Sequence, residues 1–222
     1  MKDHAHNQPV VTVHYAQSLD GQIATCTGDS RWISSPATLT YAHALRAENQ
    51  AVLVGVGTII ADDPRLTLRL VRGEQPRRVV LDSALRIPLG SMVLNDSAKA
   101  STVLITTPRA SAERIVRLCA KGVDVVVVEE SDDGKVCLAS ALECLSSFGI
   151  ERVLVEGGNQ TITSFLRAGL VSRLAICIAP LLIGKGVGAV GDLGVVRLAQ
   201  AIRFQTAQWI PAGPDLIFEG KL

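Results

Sequence analysis

Three features of this 222-residue chain predict an α/β fold with a mainly parallel sheet. Apolar, β-branched runs of strand length alternate with segments whose apolar residues recur at helical spacing, the pattern of strand–helix–strand units. Several of these segments close on a glycine, as at Gly122 and Gly149. The last two strand-like runs follow each other with only a Pro-Ala-Gly-Pro turn between them, which predicts an antiparallel pair at the C-terminal end.

Taken in order, residues 10–16 read as a strand, followed by a loop through Asp20-Gly21. Ser34-Ser35-Pro36 is a helix start, with a serine cap and proline in the first turn, and the helix runs to about Asn49. A strand over 51–55 leads into a single helical turn that Pro64 cannot continue. Strands follow at 77–82 and 102–106, then a helix over 111–121 with Ile115, Leu118 and Cys119 at helical spacing. The valine-rich run 123–129 predicts a buried strand by its β-branching. Leu138, Leu142, Leu145 and Phe148 mark another helix. The remaining expected elements are a strand at 152–156, a helix at 160–168, and strands at 171–179, 204–210 and 215–219. No internal repeat or linker is visible, so residues 10–222 are expected to form one domain behind a flexible tail, residues 1–9.

Composition excludes several function classes. A hydrophobic share of 48% and a mean hydropathy of +0.31 exclude a disordered chain. No apolar run approaches the ~20 residues of a membrane helix. The first ten residues lack the apolar centre of a signal peptide, so a cytoplasmic protein is expected. A net charge of +1 and only 4% aromatic residues argue against a nucleic-acid groove, which needs a basic field and stacking rings. The cysteines Cys26, Cys119, Cys137, Cys144 and Cys177 form no CxxC and no zinc-deaminase signature. Cys119, Cys144 and Cys177 fall in apolar periodic segments and are expected as small buried hydrophobes. His4 and His6 lie in the tail, and no metal site is assigned.

Two segments point to a small-ligand site. The first runs from Gly55-Val-Gly57 through Thr58 and the pair Asp62-Asp63 to Arg65 and Arg69. An apolar strand that ends in glycines and charged residues is where α/β proteins hold ligands. It is not a dinucleotide-binding GxGxxG: Ile60 occupies the third glycine's place, and Pro64 stops the helix too soon. The second segment is Glu156-Gly157-Gly158-Asn159, a strand that passes through two glycines into a helix. Amides and the dipole at such a helix start suit a pyrophosphate, although a plain strand-to-helix turn reads the same way. Glu156 at the strand end suits hydroxyl binding or proton transfer. For Trp32, core filling is the commoner fate of a tryptophan and stacking the functional alternative. Arg46 late in its helix reads as a solvated cation, and His14 as a core or edge histidine, with a site histidine as the functional alternative.

Taken together, Ser18-Leu-Asp-Gly21, Asp29-Ser-Arg-Trp32, Gly57-Thr-Ile-Ile-Ala-Asp-Asp-Pro-Arg-Leu-Thr67, Val80-Leu-Asp-Ser83, Glu156-Gly-Gly158 and Ile178-Ala-Pro-Leu-Leu-Ile-Gly184 resemble the riboflavin-biosynthesis reductases. The resemblance covers nearly the whole chain. It implies a dihydrofolate-reductase-like fold, a homodimer, and NADPH-dependent reduction of the ribosyl group of a pyrimidine ribosylamine 5′-phosphate to a ribityl chain. By resemblance, Ala16, Trp32, Thr58, Asp62, Ser83, Gly158, Asn159, Gln160 and Thr161 would contact NADPH, with Ser83 and Arg86 at its 2′-phosphate. Ser30, Arg46, Leu66, Arg69 and Glu156 would contact the substrate, the two arginines at its 5′-phosphate. Glu156, then Asp20, would handle protons. His14 departs from the lysine or asparagine common at its position, which leaves open whether the diamino or the deaminated pyrimidine is used. Two rival readings keep part of this picture: a reductase of another pterin-like or heterocyclic compound, and a silent nucleotide-binding regulator.

Overall fold

The computed structural model describes residues 8–96 and 100–222. Residues 1–7, which hold most of the expected tail and both His4 and His6, lie outside the described residues. In chain order the elements are β1 (Val10–Ser18), β2 (Gln22–Thr25), α1 (Pro36–Glu48), β3 (Ala51–Gly55), α2 (Val56–Asp62), β4 (Arg77–Leu81), α3 (Met92–Asn95), β5 (Thr102–Thr106), α4 (Ala112–Cys119), β6 (Asp124–Val127), α5 (Leu138–Ser147), β7 (Arg152–Glu156), α6 (Asn159–Arg167), β8 (Arg173–Ala179), β9 (Gly186–Gly188), β10 (Thr206–Ala212) and β11 (Asp215–Lys221). Every strand and long helix expected from the sequence is present, with ends within about two residues of those expected. The short elements β2, α3 and β9 were not foreseen. No helix among the described residues is long and apolar enough to cross a membrane.

The described chain forms two compact units. The first comprises residues 8–10, Arg46–Leu68 and Gly73–Val153. Its strands run β3-β4-β5-β6, and all three pairings are parallel. Residues 51–54, Val79, Val80 and residues 103–105 are wholly buried. Such continuous apolar strands are what a parallel sheet with both faces covered requires. The valine run in β6 corrects the expectation of a buried strand. β6 ends this strand order, its Asp124 and Val127 are exposed, and Val125 and Val126 are half-buried. Branching at Cβ favours the extended backbone but does not decide which strand lies at the edge.

Loops of this unit are held by side chains bonded to main-chain groups. Asp63 ends α2 in the left-handed region (φ 41°), and its carboxylate accepts the Met92 N–H at 2.8 Å. Asp82 accepts the Ile87 N–H at 2.8 Å, and Arg114 Nε donates to the Leu85 carbonyl at 2.9 Å. Arg78 is fully buried and donates Nη2 to the carbonyls of Asp96 and Ala100. Ser111 caps α4 by accepting the Arg114 N–H at 3.2 Å.

The second unit comprises Val11–Leu45, Arg69–Arg72 and Leu154–Leu222. Its strand order is β10-β11-β8-β1: β1 and β8 pair in parallel, while β11 is antiparallel to both β8 and β10. The antiparallel C-terminal pair expected from the Pro-Ala-Gly-Pro turn is therefore present, and the fold class is α/β with mainly parallel pairing. Start of α1 is capped from this hairpin, because Asp215 Oδ2 accepts the Ser35 N–H and the Thr38 hydroxyl, each at 2.7 Å. Glu219 gathers Tyr41 Oη, Arg173 Nη2 at 2.8 Å and Gln208 Nε2 at 3.0 Å. The Phe218 ring packs against both Phe204 and Trp209, with centroids 4.9 Å apart in each pair.

All five cysteines are free. Cys177 is buried and Cys144 intermediate, but Cys119 is exposed, contrary to its expected burial. Cys119 is the last residue of α4, where the helix turns out toward Gly122 (φ 76°). His14 is buried, with Nε2 3.5 Å from Cys177 Sγ and its ring 6.1 Å from that of Tyr41. The core reading of this histidine holds. Burial pushes the Cys177 thiol up to about 12, so it stays protonated.

Candidate functional site

Some of the residues singled out in the sequence lie at or just beyond the carboxyl ends of strands, namely Ala16, Asp20, Thr58, Asp62, Ser83 and Glu156, where side chains and loops can meet a ligand. Arg46 lies within α1, Ser30 and Trp32 in the loop before it, and Leu66 and Arg69 in the irregular stretch after α2. In the first unit, β3 ends at Gly55 and α2 starts at once, with no side-chain cap on its first turn among the described residues. The seven residues of α2 make nearly two turns rather than the single turn expected. Thr58 and Asp62 are therefore four positions apart on one helix face, and both are half-exposed. Beyond β4, Ser83 Oγ accepts the Val136 N–H at 3.1 Å, and the Ser83 carbonyl accepts the Thr107 hydroxyl at 2.8 Å. That arrangement fixes the Ser83 oxygen while leaving the hydroxyl its own proton to donate. Arg86, three residues on, is exposed.

Arg46 has a structural task besides any ligand. Its Nη1 donates to the Thr67 carbonyl at 3.1 Å. Leu66 is buried in the left-handed region (φ 51°), an uncommon conformation for a residue with a Cβ. Leu68 is held at both main-chain groups by Gln75, with N–H to Oε1 at 2.8 Å and Nε2 to the carbonyl at 3.2 Å.

In the second unit, Glu156 ends β7 and is 9% exposed. Gly157 (φ 72°) and Gly158 (φ 81°, ψ 105°) then turn the chain into α6. Only glycine takes such angles without strain, so the double glycine is a requirement of the turn. Among the described residues no side chain caps α6 at Gly158, and the first amides of a helix have no partner within it. Gln160 and Thr161 lie in that first turn. Asn159 has a different job: its Nδ2 donates to the Gly188 carbonyl at 2.6 Å, tying β9 to the helix.

Trp32 is 76% exposed, which removes the core-filling reading and leaves its ring available for stacking. Ala16, near the end of β1, and Ser30 are half-exposed. Asp20 is occupied. Its Oδ1 accepts the Ser18 hydroxyl at 2.5 Å and the Ile183 N–H at 3.1 Å, and its Oδ2 accepts the Gly184 N–H at 2.6 Å. The Ser18 hydroxyl foremost, then the two amides, hold this carboxyl down to about 2. A carboxylate so stabilised is a poor proton acceptor near neutrality, and the geometry is that of a latch on the 183–184 turn. Arg69 is exposed, yet its N–H is held by a residue the sequence reading passed over: His43 Nδ1, at 3.1 Å, on the buried face of α1.

Two surface recesses, of about 470 and 270 Å³, contain none of these residues. The first lies against residues 127–129 and α5, the second against the β10–β11 hairpin.

The fold is that of an α/β protein, with a double-glycine turn joining a strand end to a helix start. Comparison with known proteins narrows that class. Residues 9–218 match the family described as the RibD C-terminal domain, and the chain belongs to that family. It is 41% identical over 217 residues to the 2,5-diamino-6-ribosylamino-4(3H)-pyrimidinone 5′-phosphate reductase of Methanothermobacter thermautotrophicus, covering 96% of this chain and 97% of that protein. It is 40% identical over 211 residues to the riboflavin biosynthesis protein RibD of Aquifex aeolicus. That match covers 95% of this chain but 57% of the relative, so the chain spans little more than half the length of such proteins. Among solved structures, Acinetobacter baumannii RibD superposes with a TM-score of 0.83 at 28% identity, covering 97% of this chain and 58% of that one.

Proposed function

We propose that this chain is an NADPH-dependent reductase that converts the ribosyl group of an aminopyrimidine ribosylamine 5′-phosphate to the ribityl form. The observation that carries this reading is the 41% identity, over nearly the full length of both proteins, to a reductase named for such a substrate.

The local geometry suits a dinucleotide phosphate. The uncapped first turn of α6 behind Gly157 and Gly158 presents N–H groups of the kind that bind pyrophosphate. Exposed Trp32 suits a stacked ring, and the Ser83 hydroxyl with Arg86 suits a 2′-phosphate. Thr58, Asp62, Ala16 and residues 158–161 complete the proposed cofactor set, with Asn159 mainly securing the turn. Bound NADPH supplies the hydride.

The chain's own part is positioning and proton handling. Arg46 and Arg69 grip the 5′-phosphate, and Ser30 and Leu66 line the substrate. Opening the ribosylamine ring requires a proton to move at the sugar. Glu156, buried at the end of β7, is the group assigned to it. Asp20 serves as the latch described above and not as a second acid. A homodimer belongs to the same reading, supported by large exposed apolar side chains such as Val196, Leu198 and Trp209.

The assay is direct. Purified protein is mixed with NADPH and either the 2,5-diamino-pyrimidinone ribosylamine 5′-phosphate or its deaminated 5-amino-uracil counterpart, and loss of reduced-nicotinamide absorbance is followed. Turnover of one or both is expected, and their relative rates name the substrate. NADPH binding without turnover of either would overturn the proposal.

A further inference from the structure

We propose that His43 is a positioning residue for substrate, acting through the main chain of Arg69. Residues 63–76, from the end of α2 to the start of β4, contain neither helix nor strand. Such a stretch has no ladder of its own, and its buried main-chain groups need partners from elsewhere. Residues 66–68 are nevertheless buried, at 2%, 2% and 7% exposure. Their order comes from side chains gripping successive residues: Arg46 at the Thr67 carbonyl, Gln75 at both main-chain groups of Leu68, and His43 at the Arg69 N–H.

His43 is the last grip before the chain leaves the interior. Its side chain is 1% exposed, whereas Arg69 is exposed. The imidazole rides on α1, one helical turn before Arg46, and two torsions fix the ring once it is buried. Because Nδ1 accepts, the ring proton sits on Nε2, and an imidazolium, a donor at both nitrogens, cannot make this bond. The result is an anchored Cα at the root of the Arg69 side chain. A guanidinium rooted on a fixed backbone pays less ordering entropy when it closes on an anion.

This inference rests on the reading of Arg69 as a 5′-phosphate ligand, and the experiment separates the two. Arg69→Ala, His43→Leu and His43→Asn are compared by steady-state kinetics with NADPH and the ribosylaminopyrimidine 5′-phosphate. Asn places its Oδ1 where Nδ1 stands and keeps an acceptor, whereas Leu keeps bulk without one. Losing one such bond should raise KM for the pyrimidine by about tenfold in His43→Leu, with kcat and KM for NADPH within about twofold. His43→Asn should recover most of that loss. An unchanged pyrimidine KM in a folded His43→Leu, or an Asn variant no better than Leu, overturns the role. Should the Leu variant fail to fold, His43→Gln replaces it, since its amide reaches beyond the Nδ1 position. Equal pyrimidine KM values for Asn and Gln then count against the proposal. If Arg69→Ala raises KM and His43→Leu does not, only the positioning role falls. If Arg69→Ala leaves KM unchanged, the phosphate reading falls first and this inference with it.

Discussion

Asp215 caps helix α1 from 177 positions away, its Oδ2 accepting the Thr38 hydroxyl at 2.7 Å inside the fold. The same oxygen accepts the Ser35 N–H at 2.7 Å, so one carboxylate of the C-terminal hairpin serves the start of the helix that carries His43 and Arg46. Replacing it by alanine should lower unfolding stability by about 1–2 kcal/mol, the loss typical of a helix cap with a buried partner. Chemical denaturation of Asp215→Ala against the unmodified protein measures this.

A pH dependence follows from the same carboxylate. Burial alone would raise its pKa, but hydrogen bonds from Thr38 and Ser35 outweigh burial and hold it below the ordinary carboxylate range. A group depressed in the folded state stabilises above its unfolded pKa of about 3.9 and loses that contribution as pH falls through the folded value. Asp215→Asn should therefore lose stability less steeply than the unmodified chain on acidification from about pH 5 to pH 3. Denaturation midpoints across that window decide it.

A pH–rate profile tests the role of Asp20. A carboxyl held to about 2 by Ser18 and two amides stays ionised across the working range. Asp20→Asn should lower turnover without moving either limb of the profile from about pH 5 to 9. A lost acidic limb would restore Asp20 as a proton carrier.

Glu156→Gln should leave NADPH affinity within about twofold while turnover falls by about a hundredfold or more. Fluorescence titration of NADPH beside stopped-time product assays checks both halves. Equal losses in affinity and turnover would place Glu156 among cofactor ligands instead.

Gly158→Ala tests the double-glycine turn. At φ 81° and ψ 105° a Cβ is strained, at a cost of about 1–3 kcal/mol. Dinucleotide affinity should fall while KM for the pyrimidine changes little, measured by NADPH titration and by kinetics at saturating cofactor.

What was legible in the sequence follows the range of the forces. Strands β3, β5 and β7 are announced by apolar runs that need no partner to be recognised, and the Glu156-Gly157-Gly158 turn by glycines whose backbone angles demand them. The edge position of β6 was hidden, because four valines look alike in a central or a terminal strand. Trp32 misled composition-based reasoning, since its exposure depends on the loop that carries it. His43, Gln75 and Asp215 left no local signal at all. Each acts on main-chain groups of a distant or irregular segment, and such pairings exist only after folding.

The terminal place of β6 carries a cost of its own. Among the described residues its outer edge has no strand partner, and its three valines with the following Val128 make a β-branched run, the profile of a segment prone to aggregate. Asp124 precedes that run and Glu129-Glu130 follow it, and with Arg77 paired to Asp124 and Arg109 to Glu130 the strand is flanked by charged side chains. Flanking charges of this kind oppose edge-to-edge pairing, and neutralising the three acids should shorten the protein's life in solution long before it touches catalysis.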